Sequence, residues 1–368
     1  MKRVLVGFIM DGKGGGIDRY LLNFLEAVQD QDVEIDFLTD KVDKELETYL
    51  RAYRSEIYAV AGLKHPVKQF RQVCAILRRK QYDMVYLNVS TAIDCVAAFA
   101  AKHMKVRERA IHSHSSGNDC ESSVQRLVYN VAHRICKAFC WRAGTRFYGC
   151  SVKAGRWLFP GKIVESDRFE VIYNAVDRRK YQYHPDWRKE MRAGLGVEGK
   201  FVVGSIGNFC YQKNYPFLID VFEQLYKLEN DAVLLLAGKG VQLDAIRRRV
   251  KEKGLEDAVK FLGFREDADR LYQAMDVFLL PSRFEGLPVV GVEAQSTKLP
   301  CVLSSSITPE TKIQDHCYFL DLKAGPKRWA QFIAEHREYD REQVKLLKEA
   351  KNYDLEIQTE QLRRIVCH

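Results

Sequence analysis

Apolar runs of strand length alternate with helical patterns from one end of this chain to the other, and they do so in two series. The first series holds VLVGFIM (4–10), VEIDFL (33–38), MVYLNV (84–89) and RFEVIYN (168–174). The second holds FVVGSIG (201–207), AVLLLAG (232–238), KFLGF (260–264), VFLLPS (277–282) and PCVLSS (300–305). Continuous apolar strands separated by patterns such as IDRYLLNFLEAV predict parallel sheets covered by helices on both faces. The expectation is therefore an α/β chain of two Rossmann-like, doubly wound domains facing a cleft, and 368 residues do exceed one compact core. The polar stretch NAVDRRKYQYHPDWRKEMRAGLG reads as the connection, giving domains over 1–175 and 176–340. Residues 341–368 are expected to be closing helices that pack back on the first domain. Ligands of doubly wound sheets bind beyond the carboxyl ends of the strands. Two such crevices sharing one cleft suit a two-substrate transferase.

Composition narrows the setting. The chain is 46% hydrophobic and 29% charged with 9 prolines, which is globular and leaves no room for a long disordered region. Ten cysteines are scattered without a C-x2-C pair, as expected of reduced core thiols in a cytosolic protein. The opening MKRVLVGFIMDGKGGG is basic and then apolar, but the run breaks at Asp11, so it reads as a first strand rather than an export signal. No apolar stretch approaches the roughly 18–20 residues that span a bilayer, so membrane contact is expected to be peripheral. Residues 51–150 hold 17 Lys and Arg against 6 Asp and Glu, while the remainder is close to balanced. That region suits an anionic partner, either phospholipid or a diphosphate-bearing acceptor. Nucleic acid is disfavoured because the basic stretches lack interleaved aromatic residues.

The densest chemical signal is PSRFEGLPVVGVEAQSTKLP (281–300), in which Glu285 and Glu293 bracket a glycine-containing turn that leads into a helix. Glu285 can meet sugar hydroxyls from the loop, and the amides around Gly286 and Leu287 can bind diphosphate near a helix N-terminus. Glu293 can accept both ribose hydroxyls. This stretch resembles the E-x7-E signature of glycosyltransferase family 4, whose members are retaining enzymes of GT-B fold. VIYNAVD (171–177) is similar to the family's interdomain segment, and SIGNFCYQKNYPFLIDVF (205–222) to its first strand and loop of the donor domain. The resemblance covers essentially the whole chain. It implies that Lys213 neutralises the leaving diphosphate, where negative charge builds in the transition state. It departs from the family at Asn208, where most members carry arginine, and Arg283 is the candidate substitute.

Other segments fall into place around that resemblance. Asp11 to Tyr20 follows the first strand and opens a helix. Its glycines leave amides free and let backbone approach a ligand closely. Gly7 to Lys13 imitates a nucleotide-binding P-loop, but Gly14 stands where Ser or Thr would hold magnesium. Within the resemblance, Gly15 and Gly16 match a G-G loop facing the donor. In RAIHSHSSGN (109–118), His112 and His114 stand just after a strand. A pair of histidines is too few for zinc, and the family brings one histidine of this loop to the donor sugar, with His112 favoured for its place nearest the strand end. The turn at Phe264 and Arg265 is expected to border the base through backbone atoms. Asp267-Ala268-Asp269 is expected to cap the following helix rather than bind metal. No metal or other cofactor is implied, since cationic side chains and helix dipoles take the metal's place.

Two basic amphipathic helices are expected in the first domain. In one, Phe70, Val73, Cys74 and Leu77 form the apolar face beside Lys68, Arg71, Arg78 and Arg79. The other is RLVYNVAHRICKAF (126–139). Both are expected to dock on anionic lipid, near the cytoplasmic side of the membrane. The whole reading is a retaining hexosyltransferase that uses a nucleoside-diphosphate sugar, UDP-linked, to extend a polyprenyl-diphosphate-linked saccharide for capsule or exopolysaccharide. The alternative reading is a catalytically silent nucleotide-sugar-binding subunit that supports a partner transferase, favoured by Asn208.

Overall fold

A computed structural model of the chain describes residues 1–10, 12 and 15–367, so Asp11, Lys13 and Gly14 of the glycine-rich loop lie outside the described residues. Two compact units emerge. The first comprises Met1–Asn118, Ser122–Ala175 and the chain from Leu355 onward; the second comprises Asp119–Glu121 and Val176–Asp354.

The described residues of the first unit form a seven-stranded parallel sheet of β1 (Lys2–Gly7), β2 (Val33–Thr39), β3 (Ile57–Ala59), β4 (Met84–Val89), β5 (Glu108–Ser113), β6 (Arg146–Gly149) and β7 (Phe169–Val171). Their order is β3-β2-β1-β4-β5-β6-β7. Strand order reverses between β1 and β4, which opens a crevice at the carboxyl ends of that pair. Strand parity explains the unbroken apolar runs. Leu5 packs with Val85, Leu87 and Ile111 on one face, while Val4 and Val6 pack with Phe24, Met84 and Tyr86 on the other. Both faces are covered, so no polar residue is needed in between.

The second unit repeats the plan with six parallel strands: β8 (Phe201–Ile206), β9 (Ala232–Ala237), β10 (Val259–Gly263), β11 (Val277–Leu280), β12 (Cys301–Ser304) and β13 (Cys317–Leu320). Their order β10-β9-β8-β11-β12-β13 puts its reversal between β8 and β11. The loops leaving these two strands carry Lys213 and Glu285.

Several boundaries differ from expectation. The first strand covers Lys2–Gly7 rather than 4–10, and the short β3, β6 and β13 have no long apolar run to announce them. The closing helix is Leu355–Cys367, which adds Leu362, Ile365 and Val366 to the core around Val4 and Phe24. Residues 341–354, expected to belong with it, are part of the second unit. The anchor there is the buried guanidinium of Arg341, which donates to the carbonyls of Tyr272, Gln273, Met275 and Thr297 at 2.9–3.2 Å. All ten cysteines stand outside any disulfide. No described helix is long and apolar enough to cross a membrane.

Candidate functional site

In the second unit, the loop after β8 and the loop after β11 meet around one carboxylate. Lys213 Nζ lies 2.8 Å from Glu285 Oε1, Ser282 Oγ donates to the same oxygen at 2.7 Å, and Gln212 Nε2 donates to Oε2 at 2.6 Å. Glu285 is only 4% exposed, so its charge is held by these donors rather than by water. The loops are stitched together by further bonds. Arg283 N donates to Gln212 O at 2.8 Å, and Asn214 Nδ2 to Pro281 O at 3.1 Å. Sequence proximity could have flagged Gln212 and Ser282, which neighbour residues already singled out.

A second layer of acid holds the loop after β8 from outside. Asp119 Oδ1 accepts from Gln212 N at 2.6 Å, and Glu121 accepts from Tyr211 N at 2.8 Å and from Gln242 Nε2 at 2.6 Å. Burial raises the Asp119 carboxyl above its usual range and pushes the neighbouring Cys210 thiol up to about 12. Nothing in the local sequence announces Asp119 or Glu121, because they reach this loop from about 90 residues away.

Glu293 sits in the second turn of the helix Val289–Ser296, and its Oε2 accepts from the Tyr272 hydroxyl at 2.9 Å, with Val290 O 3.2 Å from the same hydroxyl oxygen. Gly286 and Leu287 are buried in the turn just before that helix. Asn208 is exposed, with no side-chain hydrogen bond among the described residues. Arg283 is engaged with Tyr211: its Nε donates to the Tyr211 carbonyl at 3.2 Å, and its guanidinium lies 4.6 Å from the ring centroid. Phe264 is 52% exposed beneath the Lys239 ammonium. Asp267 does occupy the position before the helix Ala268–Ala274, but its side chain makes no capping bond. Its carboxylate is taken instead by a two-pronged pair with Arg265, at 2.7 and 2.5 Å. An arginine fork two residues away outcompetes a single amide. Among the described residues, no group of three or more His, Cys, Asp or Glu is placed to hold a metal ion.

In the first unit, β5 runs through His112, so this residue lies within the strand and not after it. His112 is completely buried, with Nδ1 paired to the Tyr86 hydroxyl at 2.8 Å, and Tyr86 in turn paired to Tyr20 at 2.5 Å. His112 thus stands inside the strand and the core, whereas it was expected in the loop just after the strand. His114, partly buried, follows the strand end; its Nε2 is 2.9 Å from Asn88 Oδ1 and its ring centroid 4.0 Å from that of His112. Among the described residues, Nε2 of His112 and Nδ1 of His114 have no hydrogen-bond partner. Burial holds both rings neutral, with His114 lowered to about 3 and His112 well below its ordinary value. Gly15 and Gly16 open the helix Gly16–Val28, and a Cβ built on Gly15 would meet no atom of the described residues within 4 Å. Asp18, in the first turn, accepts from the amides of Met10 and Gly12 at 3.0 and 2.8 Å. This anchor of the glycine-rich loop was not apparent in the sequence.

The two basic helices part company. Pro66–Arg79 buries Val73, Cys74 and Leu77 in the core, so its apolar face is not available to lipid. Ser123–Cys140 does the opposite and leaves most of its apolar side chains in solvent.

Known proteins resemble this chain in sequence and in fold. The family model described as Glycosyltransferase Family 4 matches residues 14–180, and that described as Glycosyl transferases group 1 matches residues 187–334. EpsF of Bacillus subtilis (strain 168) is 29% identical over 323 residues, covering 83% of this chain and 80% of that protein. The Escherichia coli UDP-Gal:alpha-D-GlcNAc-diphosphoundecaprenol alpha-1,3-galactosyltransferase is 24% identical over 304 residues, 79% of this chain and 76% of its own. Anabaena HepE, solved in complex with UDP and glucose, superposes with a TM-score of 0.76 at 20% identity, covering 100% of this chain and 99% of its own, a likeness of fold.

Proposed function

The chain belongs to the family 4 glycosyltransferases of GT-B fold, and on that premise we propose that it is a retaining transferase moving a sugar from a UDP-linked donor to a lipid-linked saccharide in capsule or exopolysaccharide synthesis. The observation that carries the reading is the buried Lys213–Glu285 pair, set at the reversal of strand order between β8 and β11. On this reading the bond from the sugar's anomeric carbon to diphosphate oxygen breaks as the bond to the acceptor oxygen forms on the same face. The acceptor's proton passes to the departing diphosphate oxygen.

Each residue then has a task. Lys213, with the amides around Gly286 and Leu287, stabilises the diphosphate as charge builds on it. Glu285 orients sugar hydroxyls, and Glu293 binds the ribose. His114, which follows the end of β5, is the histidine assigned to the sugar side. No metal is assigned a step, because the Lys213 ammonium supplies the positive charge. The UDP-linked donor is supported by the complexes of the similar HepE fold, and the lipid-linked acceptor by the name of the E. coli relative. The work site on this reading is the cytoplasmic face of the membrane, reached peripherally.

The test is release of UDP from a panel of UDP-sugars by the purified chain. Slow hydrolysis of one donor, abolished in Glu285→Gln, supports the reading. Tight donor binding with no UDP released would identify a silent binding subunit instead.

A further inference from the structure

The helix Ser123–Cys140 buries only His133 and Cys140 of its 18 residues. Val124, Leu127, Val128, Val131 and Ile135 are 51–70% exposed, and Phe139 is 37% exposed. At about 100° per residue these six fall within an arc of about 120°, on the side away from His133 and Cys140. The helix is therefore apolar on the face it turns to water, the reverse of an ordinary surface helix. A monomeric soluble protein rarely leaves such a stripe uncovered.

Charge selects the occupant. No Asp or Glu occurs between Ser123 and Cys140, whereas Arg126, Arg134 and Lys137 do. Lys137 donates to Arg156 O, and further cations stand next to the helix end: Lys102 Nζ donates to Arg142 O at 2.9 Å, and Lys162 lies 4.2 Å from the Trp141 ring centroid. A second copy of the chain would set these cations against identical ones and would be repelled. An anionic bilayer satisfies both features at once, taking apolar side chains at the acyl boundary and cations among the headgroup phosphates.

We propose that the outer face of Ser123–Cys140 is the membrane-insertion surface of this protein, and that Pro66–Arg79, whose apolar residues are spent on the core, adds charge alone. The proposal rests on the reading of a membrane-bound acceptor. Its test uses vesicles free of donor and acceptor, so it stands or falls separately from transferase activity.

The experiment is co-flotation of the full chain with phosphatidylcholine vesicles, alone or with about one-third phosphatidylglycerol. Wild type is expected to partition at least tenfold more strongly onto the anionic vesicles at low salt. Leu127→Gln/Val131→Gln/Ile135→Gln is expected to lose at least tenfold of that binding with an unchanged thermal midpoint, since all three side chains are already in water. Arg78→Gln/Arg79→Gln is expected to lose far less. In a separate Val131→Trp variant, the indole emission should shift to the blue on adding anionic vesicles. A triple variant that floats like wild type, an unshifted tryptophan, or a wild-type dimer that the triple variant converts to monomer would each overturn the proposal.

Discussion

Lys213 Nζ and Glu285 Oε1 lie 2.8 Å apart, so the cation and the carboxylate of the site hold each other in place before any ligand enters. Glu285 keeps Ser282 and Gln212 as further donors, whereas Lys213 depends on Glu285 for its paired charge. Removing the lysine therefore leaves a buried carboxylate short of a counter-ion, while Glu285→Gln removes the charge itself.

The expected outcome is asymmetric. Lys213→Ala should lower the thermal midpoint, Glu285→Gln should lower it less, and the double variant should recover part of the loss, with a coupling of about 0.5–3 kcal/mol in a double-mutant cycle. Turnover should fall about 100-fold or more in each single variant. Additive stability losses would remove the pair from the account of the site.

Burial keeps His112 and His114 neutral, and this makes the first unit sensitive to acid. Both folded values lie below the unfolded value of about 6.5, so the unfolded chain binds the extra protons. The contribution is fully present above that pH and is lost as pH falls, at about 1.4 kcal/mol per pH unit for each ring. The neighbours are phenols: Tyr20 and Tyr86, with Tyr148 at a ring distance of 6.1 Å from His112. None supplies a carboxylate to hold an imidazolium. Thermal midpoints measured from pH 7 to pH 5 should fall, and His114→Asn should flatten the slope. A slope that His114→Asn leaves unchanged would assign the acid sensitivity elsewhere.

How much of this was legible before the structure depends on whether a signal is local. Strands covered on both faces, such as β1, β8 and β9, are written as apolar runs because neither parity can be polar. β3 and β13 are three and four residues long and partly exposed, so no run marks them. The spacing of Glu285 and Glu293 is local and was visible; Tyr272 and Asp119, which position the site, reach it only through the tertiary fold. Helical periodicity likewise revealed two amphipathic helices but could not say which way each face turns. Val73 and Leu77 point into a core, whereas Val131 and Ile135 meet water, although the spacing is the same.

Tyr272 offers a test of the Glu293 role that spares the carboxylate. Its hydroxyl donates to Glu293 Oε2 at 2.9 Å, and burial raises that phenol well above its usual range, so it stays protonated and remains a donor. In Tyr272→Phe, Glu293 keeps its charge but loses the bond that orients it. The expected effect is a several-fold rise in the donor KM, corresponding to about 1 kcal/mol, with kcat little changed. An equal fall in kcat would place Glu293 in the chemical step instead of ribose binding.

Gly238 links backbone packing to the site. It adopts φ +143°, and a Cβ placed on it would lie 1.9 Å from the Gly207 carbonyl oxygen. That carbonyl also accepts from the Tyr215 hydroxyl at 2.9 Å, which ties the start of the Lys213 loop to the helix Tyr215–Leu228. Alanine at 238 must displace backbone, not a flexible side-chain tip, so Gly238→Ala should destabilise the second unit by about 1–3 kcal/mol. Because the displaced group begins the loop that carries Lys213, donor turnover should fall together with the thermal midpoint. Alanine at Gly254 serves as the control: it too has positive φ, at +63°, but its Cβ would meet no atom within 4 Å. That variant should carry conformational strain alone and leave turnover unchanged, and equal losses of turnover in the two variants would show that the contact with Gly207 does not govern the loop.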